Sequence, residues 1–150
     1  MENQQQTCVK HTRVAIYART NRNEHSESSW TIEEQVEKLK SHCHLEGKEI
    51  VSIFSDKAVS GIHVENQHSL LQLLEAAKQG LFDEMLVCNI NRVARTTADI
   101  LEIAGLLDKH GVTFTSISEK FDTSTRMGKF TLQMMAAIAE FEEASREELQ

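Results

Sequence analysis

The chain has 150 residues, 40% hydrophobic and 26% charged, which suits one ordinary domain with a buried core and excludes a disordered chain. Its 16 basic residues stand against 23 acidic ones, a net charge of −7. A broad basic face for DNA is thereby excluded, and nucleic acid is reachable only through a local cluster or a basic segment outside this stretch. No run approaches the roughly 18 uninterrupted apolar residues of a membrane helix, so no membrane partner is expected. The polar start from Met1 to Thr12 lacks the apolar region of a secretory signal. Cys8, Cys43 and Cys88 are odd in number and unevenly spread, which fits reduced thiols in a cytosolic protein.

Short apolar runs alternate with helical stretches. Val14-Ala15-Ile16-Tyr17-Ala18 reads as a buried strand. Thr31 then caps a helix, with Glu34 three residues on completing a capping box. Ile32, Val36, Leu39 and Cys43 form its stripe, and Gly47 stops it. Ile50 to Phe54 is a second strand, and Asp56 to His68 a polar loop around Ser60-Gly61. A second helix runs from near Ser69 through Leu70, Leu73, Leu74 and Ala77 to Gly80. Met85 to Cys88 is a third strand, Ala98 to Lys109 a third helix, and Val112 to Ile117 a fourth strand. Lys129 to Gln150 is helical throughout, with Phe130, Met134, Ala137, Ile138 and Phe141 on one face. The order predicts an α/β fold, a mainly parallel central sheet with helices on both faces and a long C-terminal helix. The last helix has no following strand, so its apolar face either folds back on the domain or meets another chain.

Parallel α/β sheets place ligands beyond the C-terminal ends of their strands. Arg19 follows the first strand, Asp56 and Ser60 the second, and Asn91, Arg92 and Arg95 the third. Three arginines converging on one edge suit a phosphate, because guanidinium offers planar bidentate donors that keep their charge. The plainer possibility is three solvated loop arginines.

The ordered series of motifs resembles the resolvase/invertase serine recombinases. It comprises Tyr17-Ala18-Arg19, Thr31-Ile32-Glu33-Glu34-Gln35, Asp56 with Ser60-Gly61, Asn91-Arg92-Val93-Ala94-Arg95 and Thr97-Ala98-Asp99. Gly111-Val112, Thr123 to Lys129 and Ala136 to Glu142 complete it. The resemblance runs over roughly residues 13 to 149. It implies a catalytic domain that cuts and rejoins DNA at specific sites without metal or high-energy cofactor, a serine attacking the scissile phosphate to give a 5′-phosphoseryl link. Arginines stabilise the pentavalent transition state, and dimers pair into a tetramer that exchanges strands by rotation. On this resemblance residues 1–12 form a flexible N-terminus and 13–128 the catalytic domain. Residues 129–150 begin an oligomerisation helix holding a homodimer or tetramer. DNA is the partner, met through a C-terminal domain beyond this chain, in a cytoplasmic, bacterial or mobile-element setting.

Carried over by position, Arg19, Arg92 and Arg95 handle phosphate, while Gln35, Asp56 and Ser60 support the site. The nucleophile position, two residues after Arg19, holds Asn21, whose amide has no ionisable hydroxyl with which to attack phosphorus. Asn91 stands where an aspartate is expected, and Asn66 or Gln67 where a basic residue is expected. Glu143 and Leu149 replace arginines of the last helix. These departures predict a chain that does not cleave DNA. Ser26, Ser28, Ser29 and Thr20 lie near, but a flexible loop rarely supplies the geometry of in-line attack. Two readings stand: a recombinase catalytic domain, and a non-catalytic pseudo-recombinase acting as an oligomerisation or regulatory module.

Other candidates reduce to structure. His42, Cys43 and His44 occupy consecutive helical positions and cannot share one tetrahedral ion. Cys88 reads as a small core residue, and Met127, Met134 and Met135 as an adaptable contact surface. The acidic stretch from Glu140 to Glu148 reads as a solvated face. Trp30 reads as a hydrophobic staple at the start of the first helix.

Overall fold

The seven residues Arg13–Arg19 form β1, and all but the first are buried. A strand apolar on both sides needs a neighbour on each edge and a helix over each face, and the chain supplies them in order. This computed structural model describes residues 11–20, 30–57, 67–94 and 96–148. Helix α1 (Ile32–Glu46) starts where Thr31 accepts the Glu34 N–H on its hydroxyl at 3.1 Å. It ends at Gly47, whose left-handed φ of 67° costs glycine nothing. Strand β2 (Glu49–Asp56) follows, then α2 (His68–Lys78), β3 (Glu84–Val87), a 3-10 turn (Ile90–Arg92), α3 (Thr97–Lys109), β4 (Thr113–Ser116), β5 (Phe121–Asp122) and α4 (Arg126–Glu148).

The sheet order is β2-β1-β3-β4-β5. The first three pairings are parallel and the last antiparallel. The expected α/β sheet with helices on both faces and a long final helix is what the chain forms. Winding goes outward from β1 to β2 and then returns to β3 on the other side of β1, so the switch point lies between β1 and β3. Right-handed crossovers on either side of that point send helices to opposite faces. On one face Leu39 and Cys43 of α1 pack with Val14, Ile16, Leu86 and Cys88. On the other, Leu70 and Leu73 of α2 and Ile103 and Leu107 of α3 cover Ala15, Tyr17, Met85 and Phe114. Each fully buried leucine contributes about 2 kcal/mol of transfer free energy.

Four local features differ from the sequence expectations. Cys88 lies one residue beyond β3 rather than inside it, although it is buried as expected. The 3-10 turn and β5 were not anticipated. Helix α4 begins at Arg126, three residues earlier than expected, where the Thr125 hydroxyl accepts the Gly128 N–H at 3.0 Å. At Gly128 the helix presses on β5 so closely that a Cβ would lie 1.8 Å from the Asp122 carbonyl oxygen. Phe121 of β5 meets Phe114 edge to face, ring centroids 5.6 Å apart. One side of α4 sends Leu132 and Met135 onto this core. The other leaves Phe130, Met134, Ile138 and Phe141 exposed. No helix among the described residues is long and apolar enough to cross a membrane.

Candidate functional site

The C-terminal ends of β1, β2 and β3 bring Arg19, Asp56 and the Asn91-Arg92 turn to one edge of the sheet. Arg19 is wholly buried. Its Nε donates to the Arg92 carbonyl at 2.7 Å and its Nη2 to the Asn91 carbonyl at 2.6 Å. Arg92 returns the contact, its Nη1 donating to the Arg19 carbonyl at 3.1 Å. A buried guanidinium is costly unless acceptors surround it, and here carbonyl dipoles of a tight turn do so. The solvated-loop reading therefore fails for Arg19. Its positive charge is fixed in the interior, and Arg92 stands half-buried beside it.

Gln35 secures the end of β1. Its Oε1 accepts the Arg19 N–H at 3.3 Å, and its Nε2 donates to the Arg19 and Trp30 carbonyls, each at 3.1 Å. The side-chain amide thus pairs with the last residue of β1 as another strand would. The ring of Trp30 is not the expected hydrophobic staple. Lys38, two turns along α1, lies over it with Nζ 4.4 Å from the centroid, a cation–π contact.

Asp56 ends β2 and turns inward. Its carboxylate accepts from the Tyr17 hydroxyl at 2.8 Å, the Ser69 N–H at 2.9 Å and the Leu70 N–H at 3.1 Å. The last two are orphan donors in the first turn of α2, whose dipole favours a negative charge there. Burial pushes the Tyr17 phenol far above its ordinary pKa, and the neighbouring carboxylate adds to the effect while a hydrogen bond from Gln67 opposes it. Gln67 is itself buried, its Nε2 donating to the Tyr17 hydroxyl at 2.9 Å and to the Val93 carbonyl at 2.8 Å. It ties β1 to the segment that carries Arg92. Sequence reasoning noted Gln67 only as a missing cation; its position just ahead of the Leu70-Leu73-Leu74 stripe was the one available sign of a junction role.

Of the expected site residues, Arg19, Gln35, Asp56, Asn91 and Arg92 come together. Asn91 takes part through its carbonyl, its side chain being exposed. Asn21, Ser60 and Arg95 lie outside the described residues, as do Cys8, Ser26, Ser28, Ser29, Asn66 and Leu149. Among the described residues no three His, Cys, Asp or Glu side chains cluster as metal ligands; His42 and His44 flank a buried Cys43 without forming a site. The edge is suited to holding negative charge beside a fixed guanidinium pair.

Comparison with known proteins agrees with this fold. The chain matches the family described as "Resolvase, N terminal domain" over residues 14–150. Among solved structures it is similar to the N-terminal catalytic domain of TP901-1 integrase, with TM-score 0.80 and 28% identity, covering 89% of this chain and 98% of that one. It is also similar to a resolvase family site-specific recombinase from Streptococcus pneumoniae, with TM-score 0.78 and 25% identity over 91% of both chains. The transposon Tn917 resolvase of Enterococcus faecalis is 31% identical over 93 residues, 62% of this chain and 48% of that protein. The serine recombinase gin of Escherichia phage Mu is 32% identical over 90 residues, 60% of this chain and 45% of that protein. The chain thus spans about half the length of these curated relatives or less. With the sheet order, the arginine edge and the match over 14–150 in agreement, the chain belongs to the resolvase N-terminal domain family of serine recombinases.

Proposed function

We propose that the chain serves site-specific DNA recombination as a phosphate-binding and assembly domain that does not itself cleave DNA. What supports the DNA-facing role is the buried Arg19, interlocked with Arg92 at the strand ends. A guanidinium fixed in position stabilises phosphate charge without reorganising. Asn21 at the nucleophile position supplies an amide where phosphoryl transfer through a covalent enzyme intermediate needs an ionisable hydroxyl. Gln35 and Asp56 are positioning residues, Asn91 contributes its backbone, and Ser60 and Arg95 are assigned supporting and phosphate-handling roles by motif order alone. DNA reading belongs to a segment C-terminal to α4, and the setting is the cytoplasm.

The assembly part of this reading, a contact made through α4, is supported by one observation. The apolar residues Phe130, Met134, Ile138 and Phe141 of α4 are about half exposed or more, and such a stripe suits a homodimer or tetramer contact.

The test is supercoiled DNA bearing the cognate site, incubated with the protein joined to its site-reading domain under conditions that trap phosphoseryl links. No covalent adduct is expected from the native sequence, because losing a nucleophile costs on the order of a million-fold in rate. An adduct would overturn the proposal, and mapping it to Ser26, Ser28 or Ser29 would identify the substitute. Adduct formation by Asn21→Ser alone is the result expected of an intact arginine site.

A further inference from the structure

Strand β2 forms one margin of the sheet, and among the described residues it pairs with β1 alone. The opposite margin, the two-residue β5, is overlaid by the start of α4 at Gly128. By contrast β2 is eight residues long, and its stretch from Ile50 to Ser55 carries no charge. Edge strands are usually kept short or charged, because their outward N–H and C=O groups template pairing with another chain. Exposure alternates along β2, and Val51 and Ile53 leave 38% and 45% of their surface uncovered. The Asp56 carbonyl accepts the Thr20 N–H at 3.2 Å. Asp56, and by alternation Phe54 and Ser52, therefore turn their backbone groups toward β1, while Ile53 and Ser55 turn theirs outward. The register with β1 skips Val51, a bulge that leaves Ser52 to Asp56 regular.

We propose that the outer side of β2 pairs antiparallel with β2 of a second copy of this chain, the two-fold axis passing at Ile53. An axis at Ser52 or Phe54 would oppose residues whose backbone groups already serve β1. At Ile53 the outward N–H and C=O of each copy meet. The same axis sets Val51 against Ser55 and brings Glu49 of each copy within reach of Lys57 of the other; both side chains are exposed. Opposite charges across strands stabilise a pair and like charges destabilise it. An axis at Ser55 would set Lys57 against Ile53 and lose both ion pairs. One strand margin buries less than the roughly 1,200 Å² of a stable interface, so this pairing adds to another contact and does not hold a dimer alone. Because α4 lies at the far margin, both contacts can form at once. None of Glu49, Val51, Ile53 and Lys57 belongs to the site described above, and the inference does not depend on the α4 contact.

The test is disulfide trapping in the full chain carrying Cys8→Ser, since Cys43 and Cys88 are buried. At the axis the two Ile53 Cα atoms stand about 5.5 Å apart, inside the roughly 4.4–6.8 Å that a disulfide spans. Under mild oxidation Ile53→Cys should give a covalent dimer about tenfold faster or more than Leu45→Cys. The Leu45 side chain is more exposed, at 83%, but lies in α1 and off the strand. Adding Glu49→Lys to Ile53→Cys should slow trapping about threefold or more, and adding Lys57→Glu as well should restore it. Urea midpoints verify that each variant is folded. Trapping should persist in Ile138→Glu, whose effect on the α4 contact is read separately by light scattering, so the failure of one contact leaves the other measurable. Trapping of Leu45→Cys as fast as Ile53→Cys would overturn the inference. So would a charge reversal without effect, a reversal that the second exchange does not restore, or trapping lost in Ile138→Glu.

Discussion

Replacing Asp56 with alanine removes one acceptor from three donors at once: the Tyr17 hydroxyl and the Ser69 and Leu70 N–H groups, at 2.8, 2.9 and 3.1 Å. Losing the two helix-start bonds is comparable to losing a cap, about 1 kcal/mol. The buried phenol fares worse. Its other partner, Gln67 Nε2, is a donor that also serves the Val93 carbonyl, so turning the amide to accept from Tyr17 would strand Val93. An orphaned buried donor costs about 1–3 kcal/mol, and hydrogen bonds to a charged group are worth more than neutral ones. The sum is about 2–4 kcal/mol, a large share of a stability of roughly 5–15 kcal/mol. At about 2–4 °C per kcal/mol for a chain of this size, the melting temperature should fall by about 10 °C. Asp56→Asn, keeping one amide oxygen, should lose about half as much. Urea unfolding checks this through a lower midpoint at unchanged slope. A loss below about 1 kcal/mol for Asp56→Ala would refute the reasoning and leave Asp56 with no part in the junction of β1, β2 and α2.

Tyr17, the only tyrosine, gives a pH test with a definite sign. Its folded pKa lies well above the unfolded value of about 10, so its contribution to stability is complete below pH 10 and is lost as pH rises further. Tyrosinate absorbance should therefore appear only as the chain unfolds, and a reversible titration near pH 10 with the fold intact would contradict the burial. Gly128→Ala should destabilise by about 2–4 kcal/mol by forcing α4 off the Asp122 carbonyl. Gly105→Ala, in α3 with nothing within 4 Å of the new Cβ, should gain up to about 1 kcal/mol; thermal melts showing equal effects would remove the close-contact argument. Light scattering should show an oligomer that Ile138→Glu dissociates, and a native monomer at high concentration would count against α4 as the contact.

The legible parts of the fold were those that carry their own chemistry. Thr31 and Gly47 bounded α1 because a hydroxyl cap and a left-handed glycine are local requirements, met before any tertiary contact forms. The apolar runs located the four parallel strands to within a residue or two. Strand β5, with two residues, is too short for any periodicity. The start of α4 is decided by Gly128 fitting against Asp122, a contact between turns that spacing does not encode. At the site, the sequence order brought Arg19 and Arg92 to one edge but not the way they interlock. Backbone carbonyls bear no residue type, so a guanidinium directed at Asn91 and Arg92 carbonyls is invisible in the sequence. Gln67 was hidden for the opposite reason: read as a cation that was missing, it proves to be an amide bridging Tyr17 to Val93.

That interlocking bears on how the two readings are weighed. Arg19 is bound on every side by backbone and by the Gln35 amide, so its removal would leave the Asn91 and Arg92 carbonyls without their donors and loosen the turn after β3. A chain with no catalytic task would still use Arg19 to hold that turn. This arginine therefore does not distinguish a cleaving chain from a phosphate-binding one that does not cleave, since both would keep it. Position 21 carries the opposite weight. Serine and asparagine there differ in the single property that phosphoryl transfer demands, an ionisable oxygen on a short side chain. Gain of a covalent adduct on Asn21→Ser, with no change in urea midpoint, would separate the two kinds of residue. It would show an arginine frame that the fold maintains and a nucleophile position that the fold does not constrain.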